Sequence, residues 1–124
     1  MRIFPFFIPL IAFAAADLAR GGSGSGQIAE IVTYKLKEGI ATQDALAAAQ
    51  KTEAFLRSTG AVVSRSLSVD ENDVWTDHIL WTSLAAAKAT EAQAIQRPEF
   101  AKFFAMMADE TVELRHARVV MQMD

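Results

Sequence analysis

From Ile28 onward the chain alternates between two hydrophobic periods. Ile28 to Lys37 alternates apolar and polar positions and is rich in β-branched residues, which predicts a first strand closed by Gly39. Thr42-Gln43-Asp44 then opens an Ala-rich stretch with helical spacing that reaches Arg57, with Leu46, Ala49, Phe55 and Leu56 near its apolar side and Gly60 as its stop. Ala61 to Val69 and Val74 to Thr82 return to period two and flank the turn cluster Asp70-Glu71-Asn72-Asp73, a hairpin pattern. Ser83 is an N-cap for a second helix from Leu84 to about Gln96. Pro98 interrupts it, Glu99 to Ala108 forms a short helix, and Val112 to Met121 is a fourth strand. The order βαββαβ is the split-βαβ, ferredoxin-like α+β arrangement, with an expected sheet order of four-one-three-two. Two helices cover one face of such a sheet. The other face is left for a partner.

Strand parity assigns the chemistry to faces. Along strand three, Trp75, Asp77, Ile79 and Trp81 share one face, while Thr76, His78 and Leu80 share the other. Along strand one, Glu30, Val32, Tyr34 and Leu36 share a face. If the Glu30 and Asp77 faces coincide, two acids line one cavity with aromatic walls. A carboxyl group in an apolar pocket has a raised pKa and serves as a general acid or base.

The first residues follow another pattern. Arg2 precedes an apolar run from Ile3 to Ala16, and Ala14-Ala15-Ala16 before Asp17 fits a signal-peptide cleavage site. Residues 17–27 contain Gly21-Gly22-Ser23-Gly24-Ser25-Gly26, a flexible linker by composition whose regularity also suits an engineered junction. Residues 1–16 are therefore either an export signal or an appended peptide. The expected location is periplasmic or secreted in the first case and cytoplasmic in the second. Pro5 and Pro9 interrupt a run already short for a span, so no stable membrane insertion is expected once the leader is gone. The 28–124 region is one domain.

Composition removes several function classes. The formal charge is -3, and no basic cluster stands out, which argues against nucleic acid as a partner. The absence of Cys excludes thiolate nucleophiles and thiolate metal sites, and two His (His78, His116) argue against a His-built metal cage.

Val32-Thr33-Tyr34-Lys35-Leu36-Lys37-Glu38-Gly39, Gly60 before strand two, Trp75-Thr76-Asp77 through Trp81, and Pro98-Glu99-Phe100 together resemble the antibiotic-biosynthesis-monooxygenase-like family of dimeric α/β-barrel proteins over residues 28–121. The resemblance implies a homodimer with a small-molecule pocket between sheet and helices in each subunit. It implies a cofactor-free oxygenase acting on an electron-rich aromatic or hydrophobic molecule, with neither metal nor organic cofactor. Haem-degrading relatives use an Asn on strand one and a His on the second helix. Here the only Asn is Asn72, in a turn, and the second helix has no His. The related cyclases place a His on strand one and a Tyr–His pair near helix two; the matching positions here are Glu30, Ala94 and Phe100.

The candidate catalytic residues are thus Asp77, Glu30 and His116, with Asp77 or Glu30 as the base that forms an oxidisable anion. Tyr34, Trp75, Trp81 and Phe100 are the candidate substrate-binding residues. Each has a structural alternative. Asp77 can pair with an Arg of strand four (Arg115 or Arg118), Glu30 can be a solvated edge residue, and Tyr34 and the indoles can be core. Phe100, Phe103, Phe104, Met106 and Met107 follow helical core spacing. A second function class stays open, a non-catalytic exported binding or stress-related dimer that holds a hydrophobic metabolite.

Overall fold

The computed structural model describes residues 26–123; the predicted leader (1–16), linker residues 17–25 and Asp124 lie outside the described residues. The elements are β1 (Ile28–Tyr34), α1 (Thr42–Gln50), α2 (Glu53–Ser58), β2 (Val62–Val69), β3 (Trp75–Trp81), α3 (Leu84–Ala94), α4 (Pro98–Phe104), a 3-10 turn (Asp109–Thr111) and β4 (Glu113–Arg118). The strands form one antiparallel sheet in the order β2-β3-β1-β4, the order and ferredoxin-like α+β class that the alternation predicts. Among the described residues, no helix is long and apolar enough to cross a membrane.

The single helix expected over 42–57 is two helices. The break has a side-chain cause. The Thr52 hydroxyl donates to the Ala49 carbonyl at 2.6 Å, and the Arg65 guanidinium donates to the same carbonyl at 3.4 Å and to Thr52 Oγ1 at 2.9 Å. With the Ala49 carbonyl captured, the chain tightens at Thr52, whose N–H bonds Ala49 rather than residue 48. The kink also turns α1: its inner face is Ala45, Ala48 and Ala49, while Leu46 is exposed, against expectation. β1 and β4 are shorter than predicted. Past Tyr34 the chain still pairs with the segment around Met107, through Lys37 N–H to the Met106 carbonyl and Ala108 N–H to the Lys35 carbonyl, but without a regular ladder. Ser83 caps α3 by accepting the Ala86 N–H at 3.0 Å, and Pro98 occupies the first turn of α4, where it has no N–H to leave unpaired.

All the helices sit on one face of the sheet, and the core there divides in two. One cluster gathers Ile28, Ile79 and Trp81 with Phe55, Leu56, Leu84, Ala87, Ala94 and Phe100. The other gathers Tyr34 and Trp75 with Ala45, Ala48, Ala49, Phe103 and Met107. On both central strands the residue at the boundary between clusters is an acid. Glu30 lies between Ile28 and Tyr34, and Asp77 lies between Trp75 and Ile79. Buried charge is therefore confined to a band across the middle of the sheet.

Among the described residues, the opposite face carries no helix. Ala29, Leu80 and Ala117 lie side by side there, with Ile31 beside His78 and Arg115. The expectation of a bare apolar face holds only in part, because β2 contributes Ser64, Ser66 and Ser68.

Candidate active site

The register fixes the site. Glu30 is opposite Ile79 on β3 and opposite His116 on β4, so Glu30, Asp77 and His116 all point to the helix side. Arg115 belongs to the other face, opposite Ile31. Helix spacing brings a fourth group down from above. Ala87, Thr90 and Ala94 are the buried stripe of α3, and Glu91 lies on the same side.

Glu30, Asp77, Thr90, Glu91 and Ala94 line a cavity of about 70 Å³ between the sheet and α2, α3 and α4, and His116 lies outside its lining. Glu30 and Glu91 are in its wall, as are Asp77 and Arg65; Trp81, Ile79, Leu56, Phe100, Phe103 and Phe104 make most of the rest apolar. The half-buried members of the lining are Val32, Arg65, Glu91, Ile95, Phe104 and Leu114, and four of them, Glu91, Ile95, Phe104 and Leu114, belong to α3, α4 and β4 or the residues next to them. A dry cavity that takes benzene measures about 150 Å³. At 70 Å³ the present one accepts a molecule of a few heavy atoms; an aromatic ring requires its walls to move apart.

Glu30, His116 and Glu91 form one cluster. His116 Nε2 lies 2.9 Å from Glu91 Oε2 and 3.5 Å from Glu30 Oε1, and the His116 side chain is only 3% exposed. The Trp81 indole N–H donates to Glu30 Oε1 at 3.0 Å, so one of the two candidate indoles holds one of the candidate acids. Burial drives the Glu30 carboxyl up to about pH 8, the neighbouring Glu91 carboxylate adds to the rise, and His116 works against it. Burial also opposes the charged form of His116, but the hydrogen bonds to Glu30 and Glu91 outweigh it and lift the imidazole to about 9. Glu91 goes the other way: despite burial, the hydrogen bond from His116 pulls it below the usual carboxylate range. At neutral pH the cluster is a neutral Glu30 carboxylic acid, an imidazolium and a Glu91 carboxylate. Two carboxyl groups with opposed pKa shifts are the pattern of a matched acid and base. Glu91 Oε1 is buried and has no hydrogen-bond partner. The three ligand-type atoms lie within 4.8 Å of one another, a span a divalent cation could bridge.

Asp77 is differently placed. Its ion-pair partner is Arg65 of β2 and not an Arg of β4: Nε donates to Oδ1 at 2.9 Å and Nη2 to Oδ2 at 2.7 Å. β2 and β3 are neighbours, whereas β1 separates β3 from β4. Asp77 lines the cavity, but as half of a fixed pair it is not the free base expected of it. Trp81 and Phe100 line the cavity as expected. Tyr34 and Trp75 do not. They stack on each other at 6.2 Å and 16°, with Phe103 edge-on to Tyr34, and belong to the second core cluster. His78 faces away from the site, opposite Ile31.

Glu91 and Arg65 are site residues that sequence reasoning does not single out, although both leave a periodic signal. Glu91 sits four residues after Ala87 and three before Ala94, a carboxylate on the apolar stripe of a helix. Arg65 alternates with Leu67 and Val69 on the inner face of its strand.

No family model matches the chain, and no curated protein matches it. Two solved structures match its fold. A conserved protein of unknown function from Bacteroides thetaiotaomicron VPI-5482, described as a possible oxidoreductase, aligns with a TM-score of 0.53 at 16% identity over 77% of this chain and 97% of that one. A nipsnap family protein with unknown function from Agrobacterium tumefaciens strain C58 aligns with a TM-score of 0.56 at 19% identity over 77% and 89%. At these identities the likeness is one of fold.

Proposed function

We propose that this protein is a small-molecule enzyme working by proton transfer, with Glu91 as general base, Glu30 as general acid and His116 as the cation that keeps Glu91 ionised. The observation that carries this reading is a base and an acid on the wall of one apolar cavity, the base presenting a buried, unpartnered oxygen.

The reaction this serves best is a cofactor-independent oxygenation. Glu91 removes a proton from an activated C–H, and the substrate anion gives its electrons to dioxygen. Oxygen adds at that carbon, a second proton is lost from it, and the O–O bond breaks. A CH2 group and O2 thus become C=O and H2O, with the substrate as sole reductant. Glu30 supplies a proton to the departing oxygen as water forms. A small apolar cavity suits dioxygen, and the resemblance to monooxygenase-like proteins and the neighbour described as a possible oxidoreductase point the same way. The substrate is a small aromatic or hydrophobic molecule, admitted as the cavity walls move apart. The functional unit is a homodimer joined through the sheet face opposite the described helices, where half-buried Ile31 and Ala117 offer apolar surface.

Oxygen uptake with a panel of phenols and benzylic ketones, with 18O2 as label, tests the reading. Label in the product, and loss of uptake in Glu91→Gln, is the expected result. Binding of panel members without oxygen uptake or product would favour the non-catalytic alternative.

A further inference from the structure

Proton transfer leaves one polar group of the cavity without a task, the Arg65–Asp77 pair. It lies at the opposite side of the band from the proton-transfer cluster. Asp77 is two residues from Ile79, the register partner of Glu30, and so about 7 Å along the strand from that position.

The pair is nearly, but not completely, satisfied. A guanidinium has five N–H groups. Nε and one Nη2 hydrogen go to Asp77, and Nη1 serves Thr52 Oγ1 and the Ala49 carbonyl. One Nη2 hydrogen remains. An ionised carboxylate has about four lone-pair sites, and Arg65 takes one on each oxygen. The pair thus keeps a donor and spare acceptor sites on the wall of a cavity whose surroundings are Phe103, Leu56 and Ile79.

The charge balance selects the ligand. A lone buried Arg would attract an anion, but here Asp77 already neutralises Arg65 in a bidentate pair, and an anion would sit against the Asp77 carboxylate. A neutral oxygen fits both halves: it accepts from Arg65, and if it carries a hydrogen it donates to Asp77.

We infer that Arg65 and Asp77 form a recognition subsite for a neutral hydroxyl or carbonyl oxygen of the substrate, in the same cavity whose wall carries Glu30 and Glu91. This names the substrate class of the proposed enzyme, a neutral oxygenated hydrophobic molecule, and rests on that reading for its catalytic meaning. The binding itself does not depend on catalysis. Arg65 and Asp77 are positioning residues.

Acetone, propan-2-ol, acetate and xenon are small enough for the resting cavity and separate the cases. In nuclear magnetic resonance titrations of the full chain, acetone and propan-2-ol should shift the Arg65 Nε–H resonance saturably. Xenon should enter without moving that resonance, and acetate should be excluded. Arg65→Met/Asp77→Leu, which replaces the pair by apolar groups, should weaken acetone binding about fivefold for each hydrogen bond lost. Arg65→Lys, which keeps the charge and loses the fork, should weaken it as well. His78→Asn, on the other face of the sheet, should bind acetone as the unaltered protein does; because the titration reads binding without turnover, failure of the catalytic reading leaves this result standing. Acetate binding as tightly as acetone, or acetone binding unchanged in both Arg65 variants, would overturn the inference.

Discussion

Arg65 on β2 and Asp77 on β3 clasp each other through two hydrogen bonds, 2.9 Å and 2.7 Å long, directly under the kink that divides α1 from α2. The same guanidinium holds the kink itself through Thr52 and the Ala49 carbonyl. One side chain therefore ties the sheet to the helical layer and fills the gap between the two core clusters.

Removing one partner alone should be costly. Arg65→Ala leaves the Asp77 carboxylate buried without its cation and takes away the guanidinium donor to Thr52, so urea denaturation should show a loss of about 3–5 kcal/mol. Arg65→Met/Asp77→Leu should recover most of it, because an apolar pair of similar volume avoids the desolvation cost. If Arg65→Ala cost less than about 1 kcal/mol, the pair would be open to water and not part of the buried band.

Trp81→Phe should be destabilising beyond the small change in ring size. It removes the N–H that Glu30 Oε1 accepts at 3.0 Å inside the core and leaves that oxygen without its donor. The expected loss is about 1–3 kcal/mol by thermal or chemical denaturation. Trp75→Phe, whose indole stacks on Tyr34 and makes no hydrogen bond to an acid of the site, should lose less from polar causes.

Much of this architecture is legible in the amino-acid sequence alone. Period two in Trp75–Trp81 and Ile28–Tyr34 places Asp77 and Glu30 on one face, because parity is fixed by backbone geometry. What alternation cannot give is which side chains meet across strands that are distant in sequence. The Arg65–Asp77 pair follows from β2 adjoining β3, and the β4 arginines are a strand too far. The split of the first helix is likewise invisible to periodicity, since its cause is Arg65 reaching back to Ala49, sixteen residues away. Glu91 is within reach of helical spacing, but only the buried stripe Ala87–Thr90–Ala94 shows that it points inward.

Stability should fall steadily as pH rises from about 5 to 9. Glu30 goes from 4.5 in the unfolded chain to about 8 when folded, and His116 from 6.5 to about 9. For both, the folded state holds the proton more tightly, so their contribution is complete below the unfolded value and is lost as pH climbs through the folded one. Glu91, held low, contributes above the usual carboxylate range and loses that contribution in acid. The maximum should therefore lie near pH 5–6, with a loss of at least about 2 kcal/mol by pH 9 in denaturant titrations. Glu30→Gln should flatten the part of this slope below pH 8.

The sheet face opposite the described helices makes a separate prediction about assembly. Ala29, Leu80 and Ala117 lie side by side across three strands, with half-buried Ile31 next to them. Ile31→Arg and Ala117→Arg should convert the proposed dimer to monomer in analytical ultracentrifugation while leaving the circular dichroism of the sheet in place. A wild-type chain that sediments as a monomer at all concentrations would rule the dimer out.

The activity profile follows from the two carboxyl groups having opposite roles. Turnover needs Glu91 ionised and Glu30 protonated, so kcat/KM should be flat from mildly acidic to neutral pH and decline on an alkaline limb near pH 8. Glu91→Gln should lower kcat by a factor on the order of 100 to 10000, the usual contribution of a positioned base. His116→Asn tests the third role. It removes the cation that holds Glu91 low, so the Glu91 carboxyl should rise and an acid limb should appear within the measured range. A merely structural His116 would change stability and leave the limbs where they were. An alkaline limb that stays near pH 8 in Glu30→Gln would show that another group sets it, and would move the acid role away from Glu30.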